Sequence, residues 1–183
     1  MERTCRLAKV IDVLENALIV VAQLAMAAIM LVVVLDVTMR YGFNRPLVWS
    51  YGLISLYLMV ALFFFGLSHT LRHDGHVAID VFVGLIPRPL RHLIDGLGYG
   101  AAGLLFGAGA WLAAGETVTG YLNDELMAGA VAWPTWVAQL IMAVGLGVFA
   151  LRCAQRSLCH LAAFATGKPL IDFPHAAVEE MGE

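Results

Sequence analysis

The fold of this chain is decided by residues 36–50, Asp-Val-Thr-Met-Arg-Tyr-Gly-Phe-Asn-Arg-Pro-Leu-Val-Trp-Ser, which lie between two long apolar segments. Residues 18–35 before this stretch are interrupted only by Gln23, and residues 51–67 after it carry no formal charge. Backbone groups in lipid must form hydrogen bonds within their own segment, so both segments are predicted to be helices. Residues 36–50 are therefore predicted to form the turn between two membrane spans.

The residues of this turn favour a well-anchored hairpin. Asp36 and Arg40 are four residues apart, so on a helix they lie on one face and can pair, with Arg40 near the negative end of the helix dipole. Gly42 is expected to end the helix. Asn44 is then interpreted as the N-cap of the next helix, with Pro46 in its first turn. Interfacial aromatic side chains are also expected around the turn, at Tyr41, Phe43 and Trp49.

The composition is that of an integral membrane protein. Of the 183 residues, 61% are apolar and only 14% are charged, and the mean hydropathy is +0.81. A soluble domain carries about 25% charged residues. The net charge of −3 offers no basic surface for nucleic acid. The three cysteines are Cys5, Cys153 and Cys159. They form no CxxC pair and no metal-ligand spacing, so we interpret them as ordinary small apolar residues.

Four segments are long enough to cross a bilayer, because about 20 helical residues span its hydrocarbon core. They are residues 18–37, 48–67, 96–114 and 133–151. The first is expected to be retained, since its apolar run exceeds the about 7 to 15 residues of a cleavable signal. Nine Lys and Arg residues lie in the N-terminal segment, the second loop and the tail, against two in the first loop. The positive-inside rule then predicts that both termini are cytoplasmic.

The predicted fold class is an all-α integral membrane domain of four transmembrane helices over residues 1–160. Residues 161–183 contain too little apolar surface to fold alone, and a mobile cytoplasmic tail is expected there. Glycines in the third span recur at spacings that allow close helix approach in lipid, at Gly96, Gly100, Gly103 and Gly107. The third span is therefore expected to be the most tightly packed helix.

The loop between the second and third spans is rich in histidine and admits two interpretations. His69 with His73, and His76 with Asp80, have the i,i+4 spacing that could present metal ligands on one helix face. A metal site needs three or four converging ligands, and Asp74-Gly75 is expected to break the helix between these pairs. A short interfacial segment is favoured instead, with apolar residues dipping into the membrane surface, at Val77, Val81, Leu85 and Ile86.

Two blocks of sequence together resemble one membrane protein family. The first block is the turn, which contributes Asp36, Arg40, Tyr41, Asn44, Pro46 and Trp49. The second block follows on the predicted cytoplasmic side and contributes Gly66, Ser68, Arg72, Gly75, His76 and Asp80. Shorter matches are Ile86-Pro87, Trp133-Pro134-x-Trp136 and Leu151-Arg152. Over roughly residues 10–160, the chain resembles the small membrane subunit, the DctQ-like small permease, of tripartite ATP-independent periplasmic (TRAP) transporters. Members often carry a second proline shortly before a glycine in the fourth span, whereas here Val144 precedes Gly145.

The resemblance implies a secondary transport system of the bacterial inner membrane. In that family a periplasmic binding protein delivers an organic acid to a large permease, which carries the substrate and sodium sites and is supported by the small subunit. A C4-dicarboxylate or related carboxylate is the expected solute. The turn residues are expected to contact the large permease or the binding protein. The resemblance implies no cofactor and no catalytic or metal site in this chain, and its expected surroundings are membrane lipid.

Other functions of four-helix membrane proteins need residues that are missing from these spans. A self-sufficient carrier needs ionisable groups near mid-bilayer, whereas the polar residues there are Gln23, Ser55, Tyr57 and Gln139. A quinone-coupled disulfide enzyme needs exterior cysteine pairs, and a haem cytochrome needs axial histidines within its helices. A membrane redox or metal-dependent enzyme that uses the histidine-rich second loop is kept as the alternative function.

Overall fold

A computed structural model of the chain describes residues 2–72, 88–128 and 131–166. Four helices make up most of these residues, and each is long and apolar enough to cross a membrane. Helix α1 is Glu2–Gly42, α2 is formed by Ser50–Leu53, Ile54–Leu58 and Met59–Arg72 in succession, α3 is Arg88–Leu122 and α4 is Thr135–Thr166. The predicted all-α membrane fold with four spans is confirmed, and the cytoplasmic position of the termini stays a prediction.

The helices extend well beyond the spans that apolarity predicted. Helix α1 has 41 residues, which at 1.5 Å per residue is about 60 Å, or twice the hydrocarbon thickness. Helix α4 continues to Thr166, past residue 161 where the predicted tail begins. A helix does not end where its side chains become polar, so counting apolar residues locates only the part inside lipid. The remainder of the predicted tail, residues 167–183, lies outside the described residues.

Helix α1 packs on α2 along one stripe of its surface. Residues of this stripe recur every three or four positions, and all are buried or half-buried. They are Ile11, Glu15, Leu18, Ala22, Ala25, Ile29, Val32 and Asp36. Alternating intervals of four and three residues are those of left-handed coiled coils. Small side chains at Ala22 and Ala25 meet Ala61 and Phe65 of α2 to form the core of this contact. The two acidic residues of the stripe lie near the edges of the predicted span.

Helix α3 packs along α4, and the glycines of the third span form this contact. A Cβ atom on Gly100 would lie 3.1 Å from Ser157 Oγ, and one on Gly103 would lie 3.4 Å from Cys153 Cβ. The predicted close approach is therefore present. However, α3 is not the most tightly packed helix, because it packs mainly on one neighbour. In an apolar stretch of 18 residues, 6% of the α3 residues are buried, against 33% in the corresponding stretch of α4. Helix α4 contacts both α2 and α3, and Gly145 lies against the backbone of Phe64.

The loop between α3 and α4 folds onto α2. Its described residues form a short antiparallel ribbon of β1, Leu126–Met127, and β2, Trp133–Pro134. Tyr57 lies in the π-helical turn of α2, and its hydroxyl donates a hydrogen bond to Pro134 O at 2.7 Å. Gly52 leaves room for the Trp133 ring, which a Cβ atom at this position would overlap. These contacts fix the start of α4 beside the start of α2.

Candidate functional site

The first candidate site is the turn of residues 36–50, and Asp36 is the residue that organises it. Its Oδ2 accepts a hydrogen bond from Arg40 Nη2 at 3.0 Å, so the predicted pair is present. Its Oδ1 accepts a second bond, at 2.8 Å, from the backbone N–H of Leu47. Because Leu47 lies eleven residues further along the chain, the carboxylate ties the end of α1 to the segment that enters α2.

Asn44 has a different role from the predicted N-cap. Its φ of 55° places it in the left-handed region, and the N–H groups on either side of it, of Phe43 and Arg45, both bond to Met39 O. Asn44 thus reverses the chain at the end of α1, because asparagine tolerates this conformation better than most residues. Helix α2 begins only at Ser50, so Pro46 does not lie in its first turn as predicted.

The turn presents cationic and aromatic side chains outwards. The Arg40 side chain is 57% exposed whereas Asp36 is only 15% exposed, so the outer face of the guanidinium is available to another molecule. Tyr41 and Phe43 are exposed, and Trp49 is partly so. This surface suits contact with headgroups or with a partner protein.

The second candidate site is a buried polar network at the opposite end of the bundle. Glu15 is fully buried, and its Oε1 accepts a hydrogen bond from Ser68 Oγ at 2.5 Å. Arg152 Nη2 lies 3.0 Å from Glu15 Oε2 and donates a hydrogen bond to Asp12 Oδ1 at 3.0 Å. The contact with Glu15 Oε2 is an ion pair without hydrogen-bond alignment. These four side chains join α1, α2 and α4, and we call them the Arg152 network.

Sequence reasoning found only half of the Arg152 network. Ser68 and Arg152 are positions of the family resemblance, but the sequence analysis does not single out Asp12 or Glu15. The available signal was their spacing: three residues apart, they lie on one helix face and precede a long uncharged segment. An acidic residue at the edge of lipid requires a partner, but the sequence does not show which of the basic residues supplies it.

A third polar cluster joins α3 to α4 at the same end. His92 Nδ1 and His160 Nδ1 are 3.2 Å apart and both residues are buried, so one ring supplies the hydrogen and the other accepts it. Tyr99 stacks on His160, and its hydroxyl accepts a hydrogen bond from Arg156 Nη1 at 3.3 Å. Ser157 Oγ donates to the backbone oxygen of Gly96 at 2.7 Å. The cluster supplements the glycine contact between these helices.

The second block of predicted site residues is only partly described. Ser68 is buried in the Arg152 network, and Gly66 faces open space. Helix α2 ends at Arg72, whose side chain lies outside the described residues. Also outside the description are the predicted interfacial segment and the remaining motif and histidine positions, namely His73, Gly75, His76 and Asp80. Within the described ranges, no group of three or more His, Cys, Asp or Glu side chains could hold a metal ion.

Comparison with known protein families gives one finding. Residues 29–163 match the model of the family described as tripartite ATP-independent periplasmic transporters, DctQ component. The matched range includes the turn, the second block and Arg152, but not Asp12 or Glu15. Comparison with curated proteins and with solved structures gave no match.

Proposed function

This chain belongs to the family of the DctQ component, the small permease of TRAP transporters, and on that premise we propose that it is the scaffold subunit that supports the large permease. The transported solute is an organic acid, a C4-dicarboxylate or related carboxylate, which a periplasmic binding protein delivers. The large permease holds the sodium sites and the substrate site, and the complex lies in a bacterial inner membrane. The family is a transport component, so the small subunit contributes support and not catalysis.

The observation that carries the proposal is the distribution of charge along the helices. Charged side chains lie at the two ends of the bundle, in the turn and in the Arg152 network. Between these ends the four predicted spans contain no Asp, Glu, Lys or Arg apart from Asp36 itself. Transport pathways through a membrane are marked by ionisable groups or broken helices near mid-bilayer. A helix bundle with charged side chains only at its two ends is suited to support a partner in the membrane.

The contacts at both ends support a rigid unit. The Arg152 network joins α1, α2 and α4. The histidine cluster joins the remaining helix, α3, to α4. At the turn end, Asp36 holds the start of α2 and Tyr57 holds the start of α4. A transporting domain that moves against lipid needs a partner whose own helices keep their positions.

The turn end also offers a charged surface for the periplasmic binding protein. Arg40 and Arg45 are exposed in the turn. Three acidic residues at the end of α3 and in the following loop are also exposed, namely Glu116, Asp124 and Glu125. Charges at the rim of an interface mainly affect the association rate and its salt dependence. We therefore assign docking of the loaded binding protein to this end, which faces the periplasm in the orientation predicted from Lys and Arg counts.

Reconstitution in liposomes tests the proposal. Uptake of a radiolabelled C4-dicarboxylate is measured with a sodium gradient and loaded binding protein, for the small subunit alone, the large subunit alone and both together. The proposal expects uptake only with both subunits. Uptake by the small subunit alone would contradict the scaffold function, and full uptake by the large subunit alone would show that its support is not needed.

A further inference from the structure

Helix α1 carries a second stripe with coiled-coil spacing, on the side turned away from α2. The residues recur at intervals of four and three, and every one of them is exposed. They are Asn16, Val20, Gln23, Ala27, Met30 and Val34. We call this stripe the Gln23 face. It covers 18 residue steps, or about 27 Å, which matches the thickness of the hydrocarbon core. A helix packed on two sides by other helices shows two such stripes, and the first is already occupied by α2.

Gln23 distinguishes this face from a surface made for lipid. Its side chain is exposed, and it forms no hydrogen bond with any residue in the described parts of the chain. It lies five residues, about 8 Å, inside the predicted span that begins at Leu18, and 13 residues, about 20 Å, before Asp36. A carboxamide has two donors and an acceptor, and lipid tails satisfy none of them.

The exposed face of α3 provides the comparison within the same molecule. Its large exposed side chains inside the predicted span are all apolar, namely Leu97, Leu104, Leu105, Trp111 and Leu112. This is the composition expected where a helix faces lipid. Helices α1 and α3 both lie at edges of the bundle, since each packs mainly on one neighbour, but only α1 exposes an amide at this depth.

We propose that the Gln23 face docks against a transmembrane helix of the large permease, and that Gln23 hydrogen-bonds to a polar side chain or free carbonyl of that helix. This inference rests on the proposed function, which supplies a membrane partner wide enough to cover a stripe of this length. A polar residue inside a mainly apolar seam fixes the register of two helices. Gln23 would thus set the height at which the scaffold holds the permease.

Photo-crosslinking in the assembled complex tests the contact directly. The small subunit is co-expressed with the large permease, with benzoylphenylalanine in place of Val20 or Val34 on the Gln23 face. The control carries it in place of Leu105, an exposed residue at the middle of the predicted span of α3. We expect irradiation to join the first two variants to the large permease and the control to lipid. Crosslinking of Val20 and Val34 variants only to lipid, only to a second copy of this chain, or no more strongly than Leu105, would overturn the inference.

A pair of matched substitutions tests the hydrogen bond. Gln23→Leu keeps the volume and removes the amide, and Gln139→Leu makes the same change in a half-buried residue four positions after the start of α4. Since hydrogen bonds between membrane helices have modest energies, Gln23→Leu should lower recovery of the large permease in detergent about three- to tenfold. Gln139→Leu should leave it unchanged. Equal recovery with both variants, or an equal loss, would refute the assignment.

The two proposals fail in different ways. If the large permease does not co-purify with the unmodified chain, the proposed function fails. If it co-purifies and supports uptake but crosslinks only through other surfaces, the scaffold function stands and the Gln23 face is excluded. Thermal unfolding of each variant in detergent accompanies the assay, and because Gln23 has no bond within the described chain, Gln23→Leu should unfold like the unmodified protein.

Discussion

Substitution of Arg152 by alanine should destabilise this protein more than any other single charge removal among the described residues. The Arg152 side chain is 9% exposed and Glu15 is fully buried. Without the guanidinium, the Glu15 carboxylate stays in a site that water does not reach, with Ser68 as its hydrogen-bond donor. Removing one partner of a buried ion pair costs about 3–5 kcal/mol. For a protein of this size, about 1 kcal/mol corresponds to 2–4 °C in Tm, so Arg152→Ala should lower Tm by about 6 °C or more.

The assay is thermal unfolding of the purified chain in detergent, followed by intrinsic tryptophan fluorescence. Arg40→Ala serves as the control, because it removes the arginine of the exposed ion pair at the turn and exposed pairs contribute little to stability. The double variant Glu15→Leu with Arg152→Met removes both buried charges. Since apolar replacement of a whole buried pair is often neutral, we expect it to recover most of the loss.

Two results would refute this reasoning. If Arg152→Ala unfolds within about 2 °C of the unmodified chain, the Glu15 carboxylate does not depend on the guanidinium. If the double variant is less stable than Arg152→Ala, the loss does not come from an uncompensated charge, because the double variant buries neither charge and Met retains a long side chain at this position.

Three further predictions concern the topology, the turn and the packing of α4. A single cysteine at Asp124, in an otherwise cysteine-free chain, should react with an impermeant reagent from the periplasmic side, and labelling only from the cytoplasm would reverse the predicted orientation. Asp36→Ala should lower Tm more than Arg40→Ala, because Asp36 also accepts the hydrogen bond from the Leu47 N–H, and Asp36→Asn should retain that acceptor and part of the stability. Equal losses for the Asp36→Ala and Arg40→Ala variants would mean that only the ion pair matters. Gly145→Ala should lower Tm by several degrees, because its Cβ atom would lie 2.6 Å from a side chain of α2, whereas Gly147 faces open space and Gly147→Ala should leave Tm unchanged. Similar unfolding of the two glycine variants would argue against the close contact of α4 with α2.

The sequence alone determined the membrane spans and the ion pair of the turn. A run of about 20 apolar residues predicts a span wherever it occurs, because lipid imposes the same demand on every backbone group. The pairing of Asp36 with Arg40 was also predictable, since residues four apart on a helix meet whatever the remainder of the chain does. The glycine contact of α3 followed for a similar reason: small residues at this spacing create a groove, although the sequence did not show which helix fills it.

The tertiary structure decided which distant residues meet. Glu15 and Arg152 are 137 positions apart, and only the rotation of α1 and α4 about their axes brings their side chains to 3.0 Å. The role of Asn44 was equally undetermined, because asparagine suits both an N-cap and a left-handed residue, and the bond from Leu47 to Asp36 delays the start of α2 until Ser50. Local rules act between residues a few positions apart, whereas these partners are set by how whole helices pack, which depends on the shapes of many side chains together.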